Sequence, residues 1–235
     1  MSEREEYTAE TYPSFGKKYN GEKAIISLTS WKARINTVSK TLFSLIKQCP
    51  EFHIVLVLSE EEFPKMMDEL PDNLKLFTDN EMIEILWVYK NYKSYKKVLF
   101  TMDKYHDVPI ISADDDCIYT CNYAQMLYDE WTKNPHCNIT NDGSSGRENF
   151  KWGRGPNTLY TPDFTKYAKF LLTKLNKIKY DDDDIFYGAI SKKTNIKYID
   201  LHNECMYLFH SQIKPLSANS RKPFSFLANY FLSVA

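Results

Sequence analysis

The sequence predicts an α/β fold with a Rossmann-like, mostly parallel sheet flanked by helices. Three observations predict it. Short apolar runs alternate with segments of helical period over the first 140 residues, and strands that alternate with helices require crossover connections and a largely parallel sheet. The run His53 to Leu58 is apolar at nearly every position, the mark of a strand covered on both faces. The run Val108 to Ala113 ends in three aspartates, Asp114-Asp115-Asp116, and an open α/β sheet binds ligands at the carboxyl ends of its strands.

Each element follows from its local pattern. Residues 1–22 are polar and aromatic without a clear period, and read as a tail or a strap over the domain. Ala24 to Leu28 is the first strand, closing in Thr29-Ser30. A helix from about Asn36 to Gln48 places Val38, Leu42, Leu45 and Ile46 on one face. After the strand His53 to Leu58, Ser59-Glu60-Glu61-Glu62 reads as a helix start, with Ser59 as its cap and acids in the first turn. Ile83 to Val88 is the third strand. Ser94 caps a helix to about His106, and Val108 to Ala113 is the fourth strand. Tyr123 to Lys133 is helical, and Cys137 to Thr140 is a strand.

From Asp142 to Pro156 the chain carries four of its seven glycines with Arg147, Trp152 and Arg154, and reads as a substrate-binding lid. A helix from Asp163 to Lys177 follows, then Asp181-Asp182-Asp183-Asp184, then a strand from Ile196 to Leu201.

Composition narrows the function. With 235 residues, 43% of them hydrophobic, the chain can bury the core of one large α/β domain. A formal net charge of -1 argues against a nucleic-acid partner held by phosphate neutralisation. Five cysteines, an odd number without a C-x-x-C pair, argue against a disulfide framework or zinc knuckle and suit reduced thiols. The amino terminus lacks an apolar signal region, and no window reaches the length of a membrane span. A cytoplasmic protein is therefore expected. Gly-x-Gly-x-x-Gly and Walker loops are both missing, so a nucleotide bound here needs another phosphate anchor. Adjacent carboxylates repel, and a divalent cation relieves the repulsion. The acidic triplet thus reads as a metal and ligand site.

Four segments carry a resemblance. Ile25-Ile26-Ser27-Leu28-Thr29-Ser30 opens the domain, and Ser94-Tyr95-Lys96-Lys97 starts a central helix. Ile111-Ser112-Ala113-Asp114-Asp115-Asp116 supplies an Asp-x-Asp motif, and Asp183-Asp184-Ile185-Phe186 follows about seventy residues later. Together they resemble bacterial GT-A-fold glycosyltransferases of the family-2-like kind that build surface polysaccharides, over roughly residues 24–201. Phe186 departs from the Trp of many relatives.

The resemblance implies a single GT-A domain over residues 23–235. Its nucleotide-binding half covers about 23–122 and its acceptor-binding half about 123–213, with a C-terminal aromatic segment at 214–235. It implies a nucleotide-sugar donor, UDP-linked, with Mn²⁺ or Mg²⁺, and a glycan or lipid-linked acceptor. Asp114 falls on the ribose side and also near the metal, Asp116 holds the metal, and Asp115 can stand in for either. Asp183 or Asp184 is the base that takes the acceptor proton, giving inversion. Thr29, Ser30 and Arg34 lie where the family contacts the nucleotide. One of Lys96 and Lys97 reaches the diphosphate, and His210 returns as a late metal ligand, with His202 a weaker candidate.

The segment Pro223 to Ala235, preceded by Lys214, Arg221 and Lys222, packs on the domain or a second subunit, or else lies at a membrane surface. Two rivals share these features. A non-catalytic nucleotide-sugar or glycan-binding protein would keep the fold. A haloacid-dehalogenase-type phosphatase also carries Asp-x-Asp after a strand, but usually the first strand.

Overall fold

Both faces of the central sheet are covered by helices, which is why its strands read as unbroken apolar runs. The computed structural model describes residues 11–48, 50–141, 143–145, 151–153, 155–202, 207–209 and 224–234. Strands β1 (Ser14–Gly16), β2 (Ala24–Thr29), β3 (Phe52–Ser59), β4 (Glu84–Val88) and β5 (Ile110–Ala113) are interleaved with helices α1 (Val38–Ile46), α2 (Asp72–Asp79) and α3 (Lys96–Lys104). Then come β6 (Cys117–Tyr119), α4 (Tyr123–Lys133), β7 (Asn138–Thr140), β8 (Gly143–Ser145), β9 (Lys151–Gly153) and β10 (Thr158–Tyr160). Helices α5 (Pro162–Thr165), α6 (Ala168–Leu175) and α7 (Asp183–Thr194) follow, then β11 (Tyr198–Asp200), β12 (Tyr207–Phe209) and α8 (Phe224–Val234).

Among the described residues the main sheet has eight strands in the order β1-β4-β3-β2-β5-β10-β7-β11. Strands β4, β3, β2 and β5 run parallel. Strand β10 is antiparallel to both β5 and β7, and β11 is parallel to β7. The sheet is continuous from the first half of the chain into the second through the β5–β10 pair.

Alternation within the strands feeds two cores. Ile25, Val55, Val57, Leu86 and Val88 face α3, α6, α7 and α8. Ile26, Leu28, Ile54, Leu56 and Leu58 face α1, α2 and α4. Helix α3 is buried over nearly its whole length, Lys96 and Lys97 included. A hydroxyl on β2, Ser27, bonds the Lys97 carbonyl and the Thr101 hydroxyl, so the start of α3 is fixed to the sheet.

Several expectations change. Ser59 is the last residue of β3 and caps no helix there. The chain turns instead, and α2 begins only at Asp72. The hydroxyl of Ser94 is buried without a hydrogen-bond partner among the described residues, and α3 starts at Lys96 after a short 3₁₀ turn. The helix expected from Asp163 to Lys177 breaks into α5 and α6, and Pro162 rather than Asp163 opens it. Within the glycine-rich stretch, β8 and β9 pair as an antiparallel ribbon. Arg147 and Arg154 lie outside the described residues. In the strap, β1 adds an antiparallel edge to β4. Its last residue, Gly16, has φ +90°, and a Cβ there would meet the Ile83 carbonyl oxygen at 2.3 Å, so only glycine fits.

Candidate active site

The carboxyl end of β5 delivers the acidic triplet, and its three members meet different sets of partners. Asp115 turns inward. It is buried, and its carboxylate accepts from Ser30 Oγ at 2.6 Å and from Arg34 at 2.6 Å. Its carbonyl accepts from Thr41 Oγ1 at 2.9 Å, tying the triplet to α1. Asp115 and Asp116 form a turn after the strand, and Arg34 reaches both of them. Asp114 is half-buried and its Oδ1 lies 2.8 Å from Lys97 Nζ. Asp116 Oδ2 lies 3.0 Å from Arg34, and its Oδ1 accepts from Cys117 Sγ at 3.5 Å. Tyr119 braces the turn, accepting the Asp114 N–H at 2.7 Å.

The charges are mutually dependent. Burial works against the Arg34 cation, yet Asp115, Asp116 and Asp114 outweigh it and hold its pKa above the usual value. Burial pushes the Asp116 carboxyl up, and the neighbouring Asp114 adds to that. Two carboxylates in this relation suit a cation.

The second acidic run meets the first through a lysine. Lys97 Nζ, bonded to Asp114, also lies 3.4 Å from Asp183 Oδ2. Burial opposes its charge, but Asp114, Asp183 and Asp184 together hold Lys97 well above the ordinary lysine value. The four aspartates have separate partners. Asp181 pairs with Lys93 at 2.5 Å. Asp182 caps α7 by accepting from Ile185 N at 3.1 Å, and burial raises it to about 6. Asp183 is buried and Asp184 half-buried. Acids in this first turn also favour the helix dipole.

The remaining expected residues fall at differing distances from this centre. Lys96 turns away toward Glu62, at 2.9 Å, and burial lowers its pKa. Thr29 donates to the Val57 carbonyl at 2.7 Å. His202 is exposed and pairs with Asp200 at 3.4 Å. His210 lies outside the described residues; β12 ends one residue earlier, with Phe209 in register with Cys117.

Glu62, Thr41 and Tyr119 were not singled out in the sequence. Glu62 was legible only as one of three acids after β3, and Thr41 and Tyr119 carry no local signal. A cleft of about 350 Å³ opens at the carboxyl ends of β3 and β4, lined by Glu60, Glu61, Pro64, Tyr89 and Lys90.

Among the described residues no three His, Cys, Asp or Glu side chains converge to hold a metal ion by themselves. The donor set of Asp114 and Asp116 nevertheless fits a hard divalent cation. Both offer carboxylate oxygens, and such cations routinely complete their shell with ligand phosphates and water.

This combination defines the class: the fold is the GT-A fold, a mixed sheet with an acidic turn at the end of its central parallel strands. Known structures agree. S. aureus TarS (residues 1–349, in complex with UDP-GlcNAc) superposes with a TM-score of 0.57 at 10% identity, over 88% of this chain and 65% of that one. The mannosyltransferase PcManGT from Pyrobaculum calidifontis, in complex with GDP-Man and Mn²⁺, gives a TM-score of 0.50 at 9% identity, over 79% and 56%. The chain thus spans less than two thirds of the length of either structure. No protein-family model and no curated protein sequence matches it.

Proposed function

We propose that the chain is a metal-dependent glycosyltransferase. It moves a sugar from a nucleotide-sugar donor, UDP-linked, to a glycan or lipid-linked acceptor with inversion at the anomeric carbon. One observation carries the reading: two acidic motifs about seventy residues apart meet at one buried ammonium, at the carboxyl edge of the sheet. The superposable TarS and PcManGT structures, which hold UDP-GlcNAc and GDP-Man with Mn²⁺, support a nucleotide-sugar donor and a divalent ion.

Asp114 and Asp116 are the residues that would hold the ion: Ser30 and Arg34 take both carboxylate oxygens of Asp115, whereas Asp114 and Asp116 each meet one cation through one oxygen. When bound, the ion acts as a Lewis acid on the leaving diphosphate. His210 is proposed as a further ligand on the family resemblance. The nucleoside fits the cleft lined by Tyr89 and Lys90. Three strand spacings, roughly 14 Å, separate the end of β4 from the end of β5, about the reach of an extended nucleoside diphosphate. Asp183 or Asp184 takes the acceptor's proton as the new bond forms. The halves 23–122 and 123–213 then supply the donor and acceptor sides of one domain.

Thermal-shift screening of nucleotide sugars with and without Mn²⁺ tests the donor and the ion together, and a metal-dependent rise with a UDP-sugar is expected. Asp183→Asn and Asp184→Asn separate the base from its neighbour: one variant should bind donor but not turn it over. Full activity in both rejects the base assignment. Donor binding without transfer across many acceptors favours a non-catalytic binding protein.

A further inference from the structure

We infer that Lys97 is a positioning residue, tethering the start of α7 to the acidic triplet and so fixing the separation between the proposed ion site and the proposed base. The inference rests on the glycosyltransferase reading above. Lys97 sits in the first turn of α3, where the helix dipole disfavours a cation, and its side chain is 6% exposed. Both conditions oppose a lysine there, so the carboxylates it faces must account for its charge.

Those carboxylates belong to different elements. Asp114 stands at the end of β5, and Asp183 opens α7. Asp183 Oδ2 is buried and makes no hydrogen bond among the described residues; the ammonium at 3.4 Å is the group it faces. Holding one oxygen restricts rotation of the carboxylate, and with it the amino end of α7. The backbone beneath Lys97 is equally constrained, because Ser27 on β2 bonds its carbonyl. The tether therefore runs from the sheet through α3 to both acidic motifs. Lys97 is committed to carboxylates at both ends, while its neighbour Lys96 serves Glu62 on the far side.

Two measurements test this. In steady-state turnover of the donor that the wild type accepts, Lys97→Met should lower kcat by about 100-fold, the usual cost of misplacing a catalytic group, with donor KM little changed. Lys97→Arg, which keeps the charge, should recover part of the loss. Unchanged kcat in Lys97→Met overturns the positioning role. The second measurement needs no turnover. Denaturant stabilities of Lys97→Met, Asp183→Asn and the double variant form a cycle. The double variant should lose clearly less than the two single losses together, because it removes both charges. Additive losses overturn the tether. If the wild type turns over no nucleotide sugar, the proposed reaction fails while the cycle still decides the contact.

Discussion

Glu84 gives a quantitative test that the charged cluster at the amino ends of the strands serves stability while the carboxyl ends serve binding. It opens β4 and is buried. Lys104 Nζ lies 2.7 Å from its Oε1, and Tyr105 Oη and His53 Nε2 lie 2.6 and 2.8 Å from its Oε2. Burial alone would raise its pKa, but the His53 bond together with Lys104 and Tyr105 overrides that and holds it down to about 2, from 4.5. That difference is worth about 3 kcal/mol. A depressed carboxylate stabilises the folded state fully above its unfolded pKa, and the contribution is lost as pH falls toward the folded one.

Glu84→Gln keeps the shape and removes the charge. Urea denaturation should show it about 3 kcal/mol less stable than wild type at pH 7 and at pH 5. The deficit should shrink to about 1 kcal/mol at pH 3 and to under about 0.5 kcal/mol at pH 2. Nucleotide-sugar binding at pH 7 should not change. An equal deficit at pH 3 and pH 7 would mean lost packing rather than lost charge, and would refute the reasoning. Altered donor binding would refute the division between the two ends of the sheet.

Three further outcomes are expected. Asp116→Asn should abolish Mn²⁺-dependent donor binding in calorimetry, and normal metal dependence in that variant would remove Asp116 from the ion site. Gly16→Ala should destabilise more than Gly21→Ala. Both glycines have positive φ, a strain of about 1–2 kcal/mol for alanine, but only Gly16 also meets backbone, while Gly21 has open space. Deleting residues 223–235 should lower the melting temperature without changing binding to anionic vesicles. Leu227 and Phe231 of α8 are buried, Phe231 against Phe186 of α7 at 5.6 Å, and Tyr230 Oη both donates to the Lys177 carbonyl and accepts from the Lys179 N–H, each at 2.8 Å. Vesicle binding lost on deletion would instead favour a membrane role for this segment.

The sequence by itself determined the elements whose signal is local. His53 to Leu58 reads as a strand because both of its faces are covered, and β3 matches it to within a residue at each end. Helix α4 has the expected ends, Tyr123 and Lys133. The acidic triplet was legible because three charges after an apolar run cannot be core. Tertiary structure decided what depends on distant partners. Strands β6, β8, β9 and β10 have three residues each, too few for a period to show, and β10 becomes a strand by pairing with β5 and β7. Likewise, no local pattern tells which aspartate turns inward. Asp115 does so because Arg34 and Ser30, more than eighty residues earlier, wait for it. Asp183 meets Asp114 only because folding brings α3 between them, and charge acts across space rather than along the chain.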